Sequence, residues 1–237
     1  MSHDHATVAE EEYLQTIFWL QEAALPITGA NIARAMQLSA PTVHEMVARL
    51  ESDGYVTRLA DKSWQFTEHG RTHAEQIVRR HRLIERFLTD VLDIPWDDVH
   101  EQAELMEHAM SPLMEEKMLA AIGDAKTCPH GHPIDPADRI QGVPLGDCSV
   151  GAKVRILRLE NEAEDLLHYL KTQGVEPGDE GEILSVNDEE LTYRSDGGEH
   201  TLTRSVAETV SVIADPSPPP RTALPEQLVL AKDRYGR

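Results

Sequence analysis

The 237-residue chain has few cysteines, few aromatic side chains and no long apolar run. Its two cysteines, Cys128 and Cys148, are too few for a disulfide framework. No apolar stretch approaches the roughly 18 residues that a membrane-spanning helix needs, and the first residues lack the basic and apolar segments of a secretory signal. These absences exclude a transmembrane protein and a disulfide-rich secreted protein, and they predict a cytoplasmic protein that has no membrane partner.

Positive charge is also scarce, with 22 lysines and arginines against 42 aspartates and glutamates and a net charge of -20. A basic surface is the usual mark of a nucleic-acid-binding protein, so the total charge argues against that function. The acidic excess is uneven, however, because residues 27–67 contain four basic and four acidic side chains. This locally neutral segment can approach DNA, and the acidic remainder is suited to divalent cations.

The first 75 residues have the order of elements that is typical of a winged helix-turn-helix. Apolar spacing predicts helices at about 8–24, 28–36 and 39–53, and Thr28 and Ser39 are expected as N-caps. Two short strand-like runs at 55–59 and 63–66 predict a hairpin after the third helix. In such a domain the third helix enters the major groove and the hairpin touches the DNA backbone.

Candidate DNA contacts lie on this third helix and on the hairpin. Small side chains near the helix start can reach base edges and thymine methyl groups, while basic side chains contact phosphates. The candidates are Ser39, Ala40, Pro41, Thr42 and His44 at the helix start, and Arg49, Arg58 and Lys62 as phosphate contacts. Because few of these side chains are long, we expect DNA shape to contribute to recognition. A capped core helix without a DNA role is the alternative.

The rest of the chain predicts two further domains. Helical periodicity covers 68–92, 97–110 and 112–122, and glycines and prolines in 123–149 indicate a linker. Strand-like runs at 153–157, 181–186, 190–193 and 209–213, with a helix at 162–172, predict a small SH3-like β-barrel. The expected fold is mainly α with small β parts. Its units are a winged helix (1–75), a helical dimerisation and metal-binding domain (76–142), an SH3-like domain (143–214) and a proline-rich, disordered tail (215–237).

Histidines and glutamates cluster on the two helices that follow the hairpin. The residues are His81 and Glu85 on the first helix, and His100, Glu104, Glu107 and His108 on the second. His81 and Glu85 are one turn apart, and the other four fall within an arc of roughly 100° on their helix. Imidazole and carboxylate groups on facing helices resemble the metal sites of helical bundles. The pattern therefore predicts a metal-binding face.

Two other interpretations fit the same residues. The first is a solvated acidic face with incidental histidines. The second is a metalloenzyme in which Glu104 or Glu107 acts as a base beside a metal-activated water. The enzyme interpretation leaves the winged helix unexplained, and the sequence supplies no further group to orient a substrate, so we expect a protein without enzymatic activity.

Several motifs together resemble the diphtheria toxin repressor family of metal-dependent transcription regulators. They are 81–90 (HRLIERFLTD), 99–111 (VHEQAELMEHAMS), the loop 129–134 (PHGHPI), 40–43 (APTV), 12–14 (EYL) and 174–179 (GVEPGD). The last motif is similar to the FeoA-type, SH3-like domain of the longer members, so the resemblance extends to about residue 214. It implies a repressor that binds operator DNA as a homodimer when it is loaded with metal. It also implies control of metal-uptake genes and no small organic substrate.

By position, the resemblance implies two metal sites. One set is Glu12, Glu104, Glu107 and His108; the other is His81, Glu85 and His100, to which the SH3-like domain can add Glu164 or Asp165. The loop around Cys128 and His130 contains metal-type residues, but it lacks a second cysteine pair and is expected to be structural.

The expected metal is Mn²⁺. The iron-responsive members place a methionine and a cysteine where this chain has Glu12 and Glu104, and carboxylates favour Mn²⁺ over softer ions. Fe²⁺ is the alternative, and Co²⁺ or Zn²⁺ can substitute. Gln15 occupies a position where some manganese-responsive members carry another acid, so a manganese pair held in that style is not implied.

Overall fold

The computed structural model describes residues 6–219, which form eight α-helices and eight β-strands around three hydrophobic cores. Within these residues no helix combines the length and the apolar character that crossing a membrane requires. The expected disordered tail falls mostly on residues 220–237, which lie outside the described part of the chain.

The N-terminal part has the predicted order of three helices and a hairpin. The helices are α1 (Val8–Glu22), α2 (Gly29–Met36) and α3 (Ala40–Ser52), and the hairpin strands are β1 (Val56–Arg58) and β2 (Trp64–Phe66). Side chains of Thr7, Thr28 and Ser39 cap the three helices. Capping satisfies backbone N–H groups that have no partner inside a helix. The apolar faces of α1, α2 and α3 share one core with the hairpin.

The long helix α4 (Glu68–Leu92) connects the hairpin to the helical domain, with the bounds predicted from the sequence. Thr67 caps α4 by accepting from Gly70 N at 3.0 Å. A Cβ atom at Gly70 would lie 1.8 Å from Tyr55 O, so the absent side chain lets α4 start directly against the hairpin. The beginning of α4 is thereby fixed to the DNA-binding domain, and its later turns pack in another core.

Two shorter helices, α5 (Val99–Glu107) and α6 (Pro112–Ala121), pack on the second half of α4. Leu83, Ile84, Val99 and Met118 lie in their common core. Helix α5 ends earlier than the predicted residue 110. Ser111 caps the next helix and Pro112 occupies its first turn, so the chain turns before that position.

The segment 123–149, expected to be a linker, is packed against its neighbours. Cys128, Ile134 and Leu145 are buried in it. Its backbone bonds to itself, with Cys128 N donating to His132 O at 2.8 Å, and to the next domain, with Leu159 N donating to His130 O at 2.9 Å. These bonds fix the segment between the helical domain and the sheet.

The C-terminal part is a six-stranded antiparallel sheet in the order β3-β8-β4-β5-β6-β7. Its strands are β3 (Val143–Pro144), β4 (Lys153–Leu159), β5 (Glu180–Val186), β6 (Glu190–Ser195), β7 (Gly198–Thr203) and β8 (Val210–Asp215), with helices α7 (Glu164–Thr172) and α8 (Arg204–Ala207). The sequence did not predict β3 or β7. In β7 only His200 and Leu202 point inward, so the strand lacks a clear apolar pattern.

Candidate metal centre and DNA-binding surface

Four buried side chains from three parts of the chain converge between the helices and the sheet. His81 and Glu85 lie on α4, His100 on α5, and Glu162 just before α7, and their potential ligand atoms all lie within 4.8 Å of one another. His81 Nε2 is 3.1 Å from His100 Nδ1 and 3.0 Å from Glu85 Oε1. Glu162 Oε2 is 3.1 Å from His100 Nδ1. Imidazole nitrogens and carboxylate oxygens at these separations can share one divalent cation.

A second group of donors shares two members with the first. Cys128 and His130 lie with Glu85 and Glu162 in another set whose potential ligand atoms are all within 4.8 Å. His130 Nδ1 is 3.2 Å from Glu85 Oε1, and His130 Nε2 donates to Trp96 O at 2.8 Å. That bond leaves Nδ1 as the nitrogen available to a cation. The loop expected to be structural therefore brings two further donors to the buried cluster.

The shape of this loop depends on Gly131. Its φ is +90°, and a Cβ atom there would lie 2.0 Å from Leu157 O on β4. Only glycine allows both this conformation and this approach. A close backbone contact thus holds Cys128 and His130 against the sheet. The glycine at position 131 of their motif is the sequence feature that permits this contact.

Buried polar atoms without hydrogen-bond partners indicate the kind of ligand that the cluster binds. Within residues 6–219, Glu85 Oε2, His100 Nε2 and His130 Nδ1 are buried and make no hydrogen bond. Leaving such atoms unpaired is costly in a protein interior. A divalent cation accepts electron pairs from carboxylate oxygens and imidazole nitrogens of this kind, so the donor types of the cluster fit a transition metal.

The charges in the cluster support the same conclusion. Burial would lower the pKa of His81, but Glu85 and Glu107 raise it to about 10. Burial would raise the pKa of Glu85, but the neighbouring histidines His130 and His81 hold it well below its usual value. In the absence of a cation, protons on the histidines therefore balance the buried carboxylates. A cation held by these side chains would supply the balancing positive charge in place of the protons.

The other predicted set, Glu12, Glu104, Glu107 and His108, is not one of the compact donor groups found among the described residues. Its members are nevertheless neighbours, since His108 Nε2 lies 3.4 Å from Glu107 Oε1. Burial raises the pKa of Glu12, His108 lowers it, and Glu104 and Glu107 raise it. The carboxylates of Glu104 and Glu107 on α5 thus lie close enough to Glu12 on α1 to raise its pKa.

Glu107 connects this set to the buried cluster. Its Oε2 accepts from Gln15 Nε2 at 3.0 Å and from His81 Nδ1 at 2.7 Å. Gln15, which lies on α1, therefore places a neutral amide beside the Glu107 carboxylate on α5. His81 contacts Glu107 through one ring nitrogen and Glu85 through the other, so the two donor sets touch through a single imidazole.

Glu11 is a site residue that sequence reasoning missed. His108 Nδ1 donates to Glu11 Oε2 at 2.7 Å, and His73 Nε2 lies 3.4 Å from Glu11 Oε1. Burial would raise the pKa of Glu11, but bonds with His108 and His73 lower it to about 2. The carboxylate orients His108 so that its Nε2 faces Glu107. The only sequence signal was that Glu11 precedes Glu12 in an acidic run.

Glu164 and Asp165 do not join the cluster. Both are exposed in the first turn of α7, whereas Glu162, two residues earlier, is buried among the histidines. Another donor group combines buried Asp97 with exposed Asp98 and half-buried His168. Lys171 already bonds to Asp97, so that group is partly neutralised.

The candidate base-reading residues are exposed at the start of α3. Ala40, Pro41, Thr42 and His44 face outward while Val43 lies in the core. Ser39, also exposed, accepts from Thr42 N at 3.3 Å and fixes the first turn. This arrangement leaves the start of α3 free to enter a groove.

The three basic candidates differ in their surroundings. Arg58 lies over the Trp64 ring, 5.4 Å from its centroid, and Lys62 is exposed between the hairpin strands. Arg49 is ion-paired, because its Nε is 2.7 Å from Glu10 Oε1 on α1. Arg49 therefore links the recognition helix to the acidic run that contains Glu11 and Glu12.

Helix α1 is also attached at its other end. Glu22, its last residue, pairs with Arg82 on α4 and lies 3.6 Å from Arg139. Arg82 is buried and donates to Pro133 O at 3.0 Å. Position and tilt of α1 are therefore determined by charged contacts with the helical domain as well as by its own core.

Comparison with known proteins agrees with this architecture. Residues 5–62 match the family model for the iron dependent repressor N-terminal DNA binding domain, 67–136 its metal binding and dimerisation domain, and 143–214 the FeoA domain. The diphtheria toxin repressor of Corynebacterium diphtheriae is 33% identical over 217 residues, covering 85% of this chain and 95% of that protein.

Two further relatives have names that refer to different metals. The iron-dependent repressor IdeR of Mycobacterium tuberculosis is 33% identical over 219 residues, covering 85% of this chain and 95% of its own. The solved structure of a manganese-dependent transcriptional repressor complex with manganese has a TM-score of 0.80 at 27% identity, covering 86% of this chain and 99% of that chain.

A winged helix joined to a helical metal-binding domain defines a class of metal-dependent transcription regulators. The chain belongs to the diphtheria toxin repressor family of iron-dependent repressors, in the branch that carries a C-terminal FeoA domain. This is a family of repressors and not of enzymes, so the metalloenzyme interpretation of Glu104 and Glu107 does not apply.

Proposed function

We propose that this protein is a metal-dependent transcriptional repressor that binds operator DNA as a homodimer and controls metal-uptake genes. The observation that carries the proposal is the double role of α1. Its inner face packs in the DNA-binding core, while Gln15 and Glu11 bond to Glu107 and His108 on α5. A change at the metal donors therefore reaches the DNA-binding domain directly.

The proposed mechanism is a shift between two positions of α1. Burial is the main cause of the raised pKa of Glu12 on α1, and the negative charges of Glu104 and Glu107 on α5 raise it further. These side chains would hold a divalent cation, which would supply positive charge that offsets their repulsion and would allow α1 to pack closer to α5. Arg49 and the common core connect α3 to α1, so α3 would follow. Tighter metal binding in that arrangement would favour the DNA-competent state.

We propose Mn²⁺ as the physiological metal. Glu12, Glu104, Glu107 and His108 offer only oxygen and nitrogen donors, which suit Mn²⁺. Fe²⁺ is the alternative, since relatives include proteins named for dependence on iron and on manganese. Co²⁺ and Zn²⁺ can occupy similar donor sets, so the response to them in vitro does not identify the metal.

We assign dimerisation to the helical domain and keep the proposed domain limits of 1–75, 76–142 and 143–214. Of the twelve exposed large apolar side chains among residues 6–219, six lie in that domain between residues 91 and 114. They are Val91, Leu92, Leu105, Met106, Leu113 and Met114. Exposed apolar side chains on a monomer are candidates for an interaction surface, and in this proposal a second copy of the chain covers them.

The proposal is tested by fluorescence anisotropy with DNA from the promoter of the protein's own gene or of a neighbouring metal transporter. Chelator, Mn²⁺ and anaerobic Fe²⁺ are compared for the wild type and for His108→Ala. His168→Ala serves as the control, because the His168 side chain is 43% exposed and lies outside the donor sets built on α1, α4 and α5.

We expect binding that requires metal, appears at lower Mn²⁺ than Fe²⁺ concentration, and is lost in His108→Ala alone. An equal response to both metals would remove the preference for manganese and leave the repressor in place. Binding that ignores both metal and His108 would refute the proposed function.

A further inference from the structure

We infer that Glu45, in the second turn of α3, selects a cytosine in each half of the operator by accepting a hydrogen bond from the N4 amino group of that base. The inference rests on the proposed function, because it takes α3 to enter the major groove of operator DNA. It goes beyond that function by naming one residue that reads a base and the base that it reads.

Glu45 lies on the side of α3 opposite the hydrophobic core. The buried residues Val43, Val47 and Leu50 define the inner face of this helix. At about 100° per residue, Glu45 lies roughly 170° around the helix axis from the middle of that face. A recognition helix contacts base edges from the face that it turns towards the groove. Glu45 therefore points towards the bases, whereas Arg49, about 130° from the middle of the inner face, lies closer to the flank of the helix.

The neighbours of Glu45 on this outer face have short side chains. Pro41 and Thr42 lie one turn before Glu45 and Ala48 lies one turn after it, and all three are exposed. Short side chains allow the backbone of α3 to come close to the base edges. The longer glutamate side chain is thus the one that extends from this group into the groove.

Glu45 has no structural partner in the protein. Among residues 6–219 it makes no hydrogen bond and no ion pair. Arg49, four positions further along the helix, is at the spacing of a helical ion pair, but its Nε lies 2.7 Å from Glu10 Oε1 instead. The other acidic side chains of residues 27–67 are all engaged within the domain, namely Glu51 with Arg58 N, Asp53 with Arg49 and Asp61 with Ser63. The Glu45 carboxylate is therefore available to a ligand.

A carboxylate in the major groove favours one base over the other three. An ionised carboxylate can only accept hydrogen bonds. Guanine presents the acceptors N7 and O6, and thymine presents the acceptor O4 and a methyl group, so neither base offers it a donor. Adenine has an N6 donor, but its N7 acceptor lies beside that donor and repels a negative charge. Cytosine, with its N4 amino group, is therefore the base that fits Glu45 best.

The negative charge of Glu45 also opposes binding to other sequences. Non-specific affinity for DNA comes from basic side chains that neutralise phosphates. Residues 27–67 contain four basic and four acidic side chains, so without Glu45 four basic side chains would stand against three acidic ones. Glu45 thus lowers affinity for DNA in general, and a cytosine at the matching position offsets this loss. Specificity is the difference between these two affinities.

The test is selection of operator sequences from random DNA by the full-length protein with Mn²⁺, followed by fluorescence anisotropy on the selected sequence. The variants are Glu45→Gln and Glu45→Ala. Glutamine carries both a donor and an acceptor and pairs with N6 and N7 of adenine, so it should prefer a different base. Glu68→Gln is the matched control, because Glu68 is an exposed glutamate of the same domain at the start of α4.

We expect the wild type to select cytosine at one position in each half of the operator, and Glu45→Gln to select adenine there. Glu45→Ala should show no preference at that position, and Glu68→Gln should retain the cytosine. Replacing this cytosine should weaken wild-type binding by at least about 5-fold, the lower limit for a good base-edge contact, and should change binding of Glu45→Ala by less than about 2-fold.

The same base preferences in the wild type and in both Glu45 variants would overturn the inference. A uniform rise in the affinity of these variants for every sequence would then assign the carboxylate to repulsion of phosphates. Because Glu45 is exposed and unpaired, circular dichroism and the Mn²⁺ dependence of DNA binding should be the same in the variants as in the wild type.

Failure of the proposed function gives a different result. The wild type would then enrich no sequence with Mn²⁺ relative to chelator, which would refute the repressor function together with this inference. Enrichment that depends on Mn²⁺, with base preferences unaffected by Glu45, would refute the inference alone.

Discussion

The sharpest single prediction concerns Glu11, which holds the proposed ligand His108 without being a ligand itself. Glu11→Gln removes a negative charge but keeps an oxygen that can accept from His108 Nδ1, now 2.7 Å from the carboxylate. The change therefore separates the electrostatic contribution of Glu11 from its steric contribution. Glu11→Ala removes both and frees the His108 ring to turn.

The size of the effect follows from burial and geometry. Carboxylates that orient a metal-binding histidine contribute a factor of about 10–100 to metal affinity. The Glu11 side chain is 12% exposed, so solvent screens it little, but the amide of glutamine retains one of its hydrogen bonds. We expect Mn²⁺ affinity to fall about 10-fold in Glu11→Gln, or about 1.4 kcal/mol. In Glu11→Ala it should fall towards 100-fold.

Two readouts measure the loss. One is the Mn²⁺ concentration that gives half-maximal operator binding by anisotropy. The other is tryptophan fluorescence, since Trp19 on α1 packs 5.8 Å from His81, measured between ring centroids. Glu101→Gln is the control, because Glu101 is exposed on α5. Mn²⁺ dependence in Glu11→Ala equal to that of the wild type, in a folded protein, would show that Glu11 does not position His108.

Three further predictions concern folding, assembly and DNA binding. Gly70→Ala should lower the free energy of unfolding by about 3 kcal/mol in chemical denaturation, since its Cβ meets Tyr55 O at 1.8 Å; wild-type stability would contradict the close packing of α4 on the hairpin. Leu105→Glu should weaken the dimer about 100-fold in analytical ultracentrifugation. Leu105 is 78% exposed in the monomer, and in a two-fold interface the substitution removes the buried leucine from both subunits, at a cost of about 3 kcal/mol in association free energy. An unchanged dimer would place the interface elsewhere. Lys62→Gln should reduce the slope of log affinity for operator against log salt concentration by about 1. Lys117→Gln is the control, because Lys117 is exposed, and it should leave the slope unchanged. Equal slopes in the wild type and both variants would remove Lys62 from the phosphate contacts.

Much of the helical architecture could be predicted from the sequence because its signals are local. Helix α4 has the bounds expected from its apolar period, and Thr28 and Ser39 cap α2 and α3 as expected. His81 and Glu85 were recognised as a pair because they lie one turn apart on α4. The family resemblance, carried by these contiguous motifs, is confirmed by the comparisons.

Strands with weak patterns were not predictable in the same way. β7 consists of polar residues apart from Leu202, and it becomes a strand by pairing with β6, where Tyr193 faces His200. Its structure is a consequence of its neighbour. The segment 123–149 likewise has the composition of a linker, yet its backbone bonds and the buried Cys128 and Ile134 make it part of the packed structure.

The sequence by itself determined the class of the protein, the helices and the kinds of donor atoms available. Only the tertiary structure decided which donors meet. Glu162 and not Glu164 enters the cluster, Cys128 and His130 arrive on a loop fixed by Gly131, and Gln15 reaches Glu107 across 92 positions. Periodicity relates residues a few positions apart on one element. A metal site requires atoms a few ångströms apart from several elements, and their distances are set by the packing of the whole chain.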